Sequence, residues 1–346
     1  MGFSEKIIKW YKANQRQLPW RETTNPYLIW VSEIILQQTQ VQQGLSYYLR
    51  FIERFPDVKS LAAASVDEVL QYWQGLGYYS RARNLHQAAR TIVENGGIFP
   101  KDYKSVRALK GVGDYTAAAI CSFAYKMPYA AIDGNAYRVL SRVFGIKSPI
   151  DTTSGKKEIA FLAEEMLDKK EPDVYNQAMM DFGSKLCSPK SPLCLNCPVS
   201  DICIAFALDK VSSFPVKSIK PKQRKRYLVY VFVKYQNMTY IHKRKAGDIW
   251  AGLYEPILIE TDRLNDESAA VKQIHELLGS TVTEITCIKK HVKHVLTHQL
   301  LIVDFYEANI NDSMKIKGYQ LVLISHLDNY PVSRLVEKLF MKILSS

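Results

Sequence analysis

Four cysteines, Cys187, Cys194, Cys197 and Cys203, fall within seventeen residues at the spacing C-x6-C-x2-C-x5-C. Thiolates this close in sequence can hold a tetrahedral zinc ion or an iron–sulfur cubane. Disulfides are the weaker alternative. Only Cys121 and Cys287 remain elsewhere, and the opening MGFSEKIIKWYK has no apolar signal core, so a reducing compartment is expected. Spacing alone does not separate zinc from iron–sulfur.

Two carboxylates stand in contrasting sequence settings. Glu33 lies in PYLIWVSEIILQQ, which reads as a helix beginning near Pro26, with Ile29, Trp30, Leu36 and Gln37 three and four positions away. A carboxyl group so flanked is poorly solvated, which raises its pKa and favours the protonated form. Asp133 opens DGNAYRVLSRV and has the form of an N-cap. A purely structural cap looks the same, yet a helix N-terminus also keeps a carboxylate ionised. One group disposed to hold its proton and another disposed to lose it make an acid/anion pair.

The elements that must position these residues change character along the 346-residue chain. Up to about Ala207, segments such as SVDEVLQYWQGL, ARNLHQAARTIVENGG and NAYRVLSRVFG show helical apolar spacing with caps and glycine stops. DKVSSFPVKSIKPKQRKR reads as a linker. Beyond it, RYLVYVFVKY, MTYIHKR, LYEPILIE, TVTEITCIKKH and LLIVDFYEA are β-rich runs, with ESAAVKQIHELLG and VSRLVEKLFMKILSS helical. The expected organisation is an all-α domain over 1–209, a basic linker over 210–225 and an α+β domain over 226–346. No internal repeat is visible, and no run of eighteen apolar residues suggests a membrane span. The net charge of +12 points to a polyanionic partner. Six basic residues fall between Lys217 and Arg226, in a run that also suits a solvated linker.

LKGVGDYTAAAI, residues 109–120, places Gly111 and Gly113 in a tight turn that opens directly into a helix of small residues. Such a turn lets backbone N–H groups approach an anion at the positive end of a helix. The segment resembles the helix–hairpin–helix element by which a superfamily of DNA glycosylases grips the DNA backbone. The cysteine spacing matches that of its endonuclease III-like members, which implies a [4Fe-4S] cluster on the loop 187–203. LPWR at 18–21, SEIILQQTQV at 32–41, GLGYYSRARNL at 75–85, IDGN at 132–135 and NQAMMDFG at 176–183 are similar to the motifs of the adenine DNA glycosylase (MutY) family. The resemblance is dense to about residue 210 and thinner beyond.

The resemblance assigns roles. Glu33 is the acid that protonates adenine N7 and later serves water as base. Asp133 stabilises the cationic sugar, electrostatically or by transient covalent capture. Asn135 and Tyr115 belong to the shell around that sugar. Bifunctional relatives carry a lysine where Tyr115 stands, and a phenol cannot form an imine, so the expected enzyme uses water and stops at the abasic site. Gln38, Thr39 and Tyr78 match residues that intercalate into or grip the opened duplex, with Gly111 and Gly113 on the backbone. Trp20, Arg21 and Gln177 match an adenine pocket, although core packing alone would account for Trp20.

The C-terminal part resembles the Nudix fold. A working Nudix box reads R-E-x-x-E-E, whereas this chain has Lys272, Gln273, Ile274, His275, Glu276 and Leu277. One remaining carboxylate makes a poor magnesium site, so nucleotide hydrolysis is not expected. In the resembled family this domain recognises 8-oxoguanine through a loop that here is Leu296, Thr297 and His298. The expected partner is double-stranded DNA with 8-oxoguanine:adenine or guanine:adenine mispairs. The expected state is a monomer in a bacterial-type cytoplasm, associated with the nucleoid through DNA. A thymine or uracil mismatch glycosylase of the same superfamily is the alternative; a catalytically silent DNA-binding protein fits less well with Glu33, Asp133 and Asn135 present together.

Overall fold

The computed structural model describes residues 2–218, 223–264, 266–296 and 298–344. They group into two compact units, Met1–Ala63 with Asn84–Lys220, and Ala64–Arg83 with Pro221–Ser346.

Helices α1 (Phe3–Asn14), α2 (Pro26–Leu36), α3 (Val41–Arg54) and α4 (Val58–Ala63) open the first unit. Helix α5 (Val66–Tyr72) belongs to the second unit, and α6 (Ser80–Glu94) begins in the second and ends in the first. The first unit continues with α7 (Tyr103–Ala108), α8 (Asp114–Tyr125), α9 (Gly134–Phe144), α10 (Thr153–Met166), α11 (Pro172–Lys185) and α12 (Ile204–Ala207).

Local chemistry fixes several ends. Pro26 stands in the first turn of α2, and the Asn25 side chain accepts from the Tyr27 N–H at 2.9 Å. Asp133 caps α9, which stops at Gly145 in the left-handed conformation. One apolar core gathers Ile7, Val139, Ile159 and Phe182 from α1, α9, α10 and α11. Full burial of each such side chain is worth roughly 1.5–3 kcal/mol, and this core brings α9 and α11 together.

In the second unit, β1 (Arg224–Lys234), β2 (Met238–Lys243), β3 (Tyr254–Glu255) and β4 (Ile257–Thr261) precede α13 (Glu267–Leu278). Then come β5 (Val282–Val295), β6 (Gln299–Ile310), β7 (Gln320–Leu323) and α14 (Arg334–Leu344). One sheet runs β4-β1-β6-β5, with β1 and β6 parallel; the other runs β3-β2-β7. Strand β1 is covered on both faces. Leu228, Tyr230 and Phe232 share a core with Leu335, Leu339 and Phe340 of α14, and Val229, Val231 and Val233 share one with Ala270 and Ile274 of α13. Burial on both sides explains why this strand reads as a continuous apolar run.

Three features differ from the sequence reading. LYEPILIE splits at Pro256 into β3 and β4, since proline supplies no donor to a ladder. Strand β1 begins within the basic run, at Arg224, while Asp151 accepts from the Ser218 N–H at 2.9 Å and ties the other end to the first unit. Residues 64–83, read as part of the helical domain, group with the second unit. Among the described residues no helix is long and apolar enough to cross a membrane.

Candidate active site and cysteine loop

Helices α2, α8 and α9 of the first unit present Glu33, Tyr115, Asp133 and Asn135 to one cleft of about 1560 Å³, which Gln38, Thr39, Gly111, Gly113, Trp20, Arg21 and Gln177 also line. Glu33 is only 5% exposed. Its carboxyl pKa is pushed up to about 7, chiefly by burial, with a smaller push from Asp133; the Tyr115 hydrogen bond and the Arg21 charge act the other way. The Tyr115 hydroxyl donates to Glu33 Oε2 at 2.7 Å. Burial also raises the Tyr115 phenol well above its usual range, so it stays a donor.

Asp133 accepts from the Ala136 N–H through Oδ1 at 2.8 Å and from Asn135 Nδ2 through Oδ2 at 2.5 Å. The cap geometry is as the sequence implies, but the electrostatic expectation needs correction. Burial raises the Asp133 pKa, and the hydrogen bonds from Ala136 and Asn135 do not fully offset it. The two carboxyls therefore differ in their partners and not in the direction of their shifts. Glu33 sits among apolar residues, whereas Asp133 sits among donors.

Asn135 is held from its other end, because its Oδ1 accepts from Arg138 at 2.7 Å. The Arg138 guanidinium also donates to the carbonyls of Gly183 and Cys187, each at 2.8 Å. Two turns into α9, Arg142 is buried and donates to the carbonyls of Ser188 at 2.8 Å, Pro189 at 3.1 Å, Val211 at 3.1 Å and Phe214 at 3.2 Å. Helix α9 thus carries the Asp133 cap at one end and grips the cysteine loop along its side. Neither arginine was singled out from the sequence.

On the pocket side, Arg21 and Arg16 both pair with Asp181 on α11, which is 0% exposed. Two guanidinium groups hold this carboxyl below its usual pKa despite burial. Tyr11 donates to Gln177 Oε1 at 2.7 Å, and Arg21 lies over the Tyr11 ring. Trp20 lines the cleft and also packs edge-on against Tyr48. Asp181 and Tyr11 went unremarked in the sequence. The available signal was an acid three residues after Ala178 on the face of α11 that carries Phe182.

The two hairpin glycines do different things. Gly111 has φ +80°, and a Cβ there would meet Asn84 at 2.7 Å. Gly113 is the N-cap residue of α8 with φ −91° and open space around it. Gln38 takes φ +57° between α2 and α3, while Gln37 donates to Thr116 at 3.1 Å and links α2 to α8.

Cys187, Cys194, Cys197 and Cys203 are free thiols that line one small pocket with Arg142, Phe182 and Val199. The Arg142 guanidinium approaches Cys187 Sγ at 3.4 Å. Burial pushes the Cys197 thiol up to about 11, with the neighbouring cysteines adding to the shift. Among the described residues, no three such donors converge on a single-ion site.

The remaining candidates lie in the second unit. Tyr78 is 51% exposed with φ +48° and does not line the cleft. His298 follows the end of β5, and its carbonyl accepts from the Arg224 N–H at 3.1 Å. Thr297 lies outside the described residues. Glu276 is exposed on α13, 3.9 Å from Lys272.

Residues 31–169 match the family described as HhH-GPD superfamily base excision DNA repair protein, and residues 228–342 match the NUDIX domain. The chain is 35% identical over 254 residues to an adenine DNA glycosylase of Buchnera aphidicola from Acyrthosiphon pisum, covering 73% of each protein. It is 31% identical over 350 residues to the adenine DNA glycosylase of Buchnera aphidicola from Baizongia pistaciae, covering 97% of this chain and 96% of that one. Among solved structures, a thermostable thymine-DNA glycosylase aligns with a TM-score of 0.56 at 29% identity. That alignment covers 95% of the thymine enzyme and 60% of this chain.

Proposed function

This chain belongs to the adenine DNA glycosylases of base excision repair, and we propose that it is a monofunctional member acting on adenine opposite 8-oxoguanine or guanine. One observation carries the mechanism: a buried glutamate with a pKa near 7 receives a hydrogen bond from a tyrosine at the position where an imine-forming enzyme needs an amine. The target base is flipped out of the duplex at a cost of a few kcal/mol. Glu33 then gives its proton to adenine N7. The C1′–N9 bond breaks with its electron pair going to the base, which leaves neutral.

Tyr115 favours the carboxylate that Glu33 becomes. Asp133, held by Asn135 and the α9 N-terminus, stabilises the cationic sugar. Water adds at C1′ and its proton returns to Glu33. General acid catalysis supplies about 10²–10⁴-fold, so the preorganised charges around the sugar must supply most of the rest.

Four thiols around a shared pocket, with a guanidinium beside one sulfur, fit a [4Fe-4S] cluster on Cys187, Cys194, Cys197 and Cys203. When bound, it supplies a cross-link within the loop. Thr297 and His298 are assigned to 8-oxoguanine, and Gln38, Thr39 and Tyr78 to the opened duplex. We place the enzyme as a monomer in a bacterial-type cytoplasm, working at the nucleoid. The relative named adenine DNA glycosylase that spans both units favours this reading over a thymine glycosylase, whose solved relative matches 60% of the chain.

The test is an 8-oxoguanine:adenine duplex incubated with enzyme, with and without alkali. Strand cleavage appearing only after alkali supports the proposal. Borohydride trapping of an enzyme–DNA adduct in the unmodified protein sinks it.

A further inference from the structure

We propose that Tyr79 is a positioning residue through which the second unit holds the loop bearing Tyr78 in the shape that opens DNA. The inference rests on the assignment of Tyr78 to the opened duplex.

The loop is bent to an extent that needs support. Gly75, Gly77 and Tyr78 have φ of +91°, +74° and +48°. For tyrosine, a left-handed conformation costs on the order of 1–3 kcal/mol and persists only where its surroundings impose it. Local bonds contribute: Trp73 Nε1 donates to the Gly77 carbonyl at 3.2 Å, and the Arg81 guanidinium donates to the same carbonyl at 3.1 Å. The Arg81 guanidinium also lies 5.2 Å from the Trp73 ring and 5.7 Å from the Tyr78 ring.

The remaining supports come from far along the chain. The Tyr79 hydroxyl accepts from the Gly75 N–H at 3.3 Å and donates to the Val332 carbonyl at 3.0 Å. One buried oxygen therefore joins the start of the bend to the residue two before α14. Gln74 donates to Glu337 on α14 at 3.2 Å, and Gln71 donates to the Asp328 carbonyl at 3.0 Å. Asp67 pairs with Lys243 on β2, and Arg83 donates to the Ala251 carbonyl. Tyr79 points inward while its neighbour Tyr78 points out, so the buried ring fixes the direction of the exposed one. A wedge preset in this way meets the duplex without first paying to order itself.

The experiment uses the full-length protein on an 8-oxoguanine:adenine duplex with 2-aminopurine beside the adenine. Fluorescence reports base flipping, and single-turnover excision is followed in parallel for Tyr79→Phe, Tyr78→Ala and the double variant. Tyr79→Phe keeps the ring and removes the bridging oxygen, so both readouts are expected to fall about three- to tenfold. In the Tyr78→Ala background, Tyr79→Phe is expected to cause no further loss. Glu337→Ala, which removes the acceptor of the Gln74 hydrogen bond to α14, should repeat the pattern with a smaller loss. A Tyr79→Phe effect that multiplies with that of Tyr78→Ala, or no Tyr79→Phe effect where Tyr78→Ala slows flipping, overturns the proposal alone. Unchanged flipping in Tyr78→Ala overturns the wedge assignment and the proposal with it.

Discussion

Gly183 on α11 faces Asn135 on α9 so closely that a Cβ on the glycine would lie 2.4 Å from the asparagine Cβ. The absence of a side chain on one helix is what lets Asn135 sit between Asp133 and Arg138. Gly183→Ala must push Asn135 away, and overpacking of this kind costs about 1–3 kcal/mol. The expected result is single-turnover excision slowed by at least about tenfold with little change in duplex affinity. Excision at the parental rate would show that the exact seat of Asn135 does not matter.

The buried acid makes stability depend on pH. Glu33 has a folded-state pKa of about 7 against an ordinary 4.5. Between those values the native state keeps a proton that the unfolded chain has released, so stability falls as pH rises through this window. The shift corresponds to at most roughly 3 kcal/mol. Glu33→Gln removes the titration while keeping the shape. Its melting temperature should exceed the parent's by a few degrees at pH 8, with the gap narrowing toward pH 5, while excision is nearly abolished and mismatch binding retained. Calorimetry at the two pH values, with an equal difference at both, would contradict this.

The same group sets a limb in the rate profile. Excision by the parent enzyme should fall about tenfold per pH unit above pH 7, as Glu33 loses the proton it must donate. The Tyr115 hydrogen bond lowers the Glu33 pKa. Tyr115→Phe should therefore move the limb to higher pH, even though it also slows the reaction. A limb that stays in place would mean that another group titrates.

Arg142 offers a prediction about the cysteine loop. Its guanidinium satisfies the carbonyls of Ser188, Pro189, Val211 and Phe214 and lies against Cys187 Sγ. Arg142→Leu removes these donors, at about 1–3 kcal/mol for an acceptor that water cannot reach, as at the buried bond to the Phe214 carbonyl. Iron content well below four per chain and a lowered melting temperature are expected. Full iron occupancy and parental stability would show that the loop closes without it.

Thr297→Ala with His298→Ala should leave excision from guanine:adenine duplexes largely intact and erode the preference for 8-oxoguanine:adenine by roughly 5- to 150-fold. Parallel assays on the two substrates decide it. An unchanged preference would move recognition to the helical unit.

How far the sequence could be read differs from residue to residue. Glu33 and Asp133 were legible because a helix's apolar spacing and a cap are local patterns. The upward shift of Asp133 was not, because desolvation depends on what packs over a cap and not on the cap. Arg138 and Arg142 stand in NAYRVLSRVF where an amphipathic helix normally turns polar residues to solvent, and only the folded chain gives them carbonyls, from Gly183, the cysteine loop, Val211 and Phe214. Residues 64–83 carry good helical signals, yet nothing in a helix's own periodicity says which body it will pack on. The ties to Asp328, Val332 and Glu337 span more than 250 residues of chain.

The burial of seven consecutive residues, Ile29–Ile35, around the one acid of α2 has an evolutionary consequence. Replacement of Glu33 by a residue that never ionises would relieve the helix of its least comfortable member. A library of this enzyme enriched for heat resistance should accumulate inactive chains altered at position 33, each folding at least as well as its ancestor. Protein abundance would then give no warning of lost repair. The defect would show only in the mutations left uncorrected in the host's DNA.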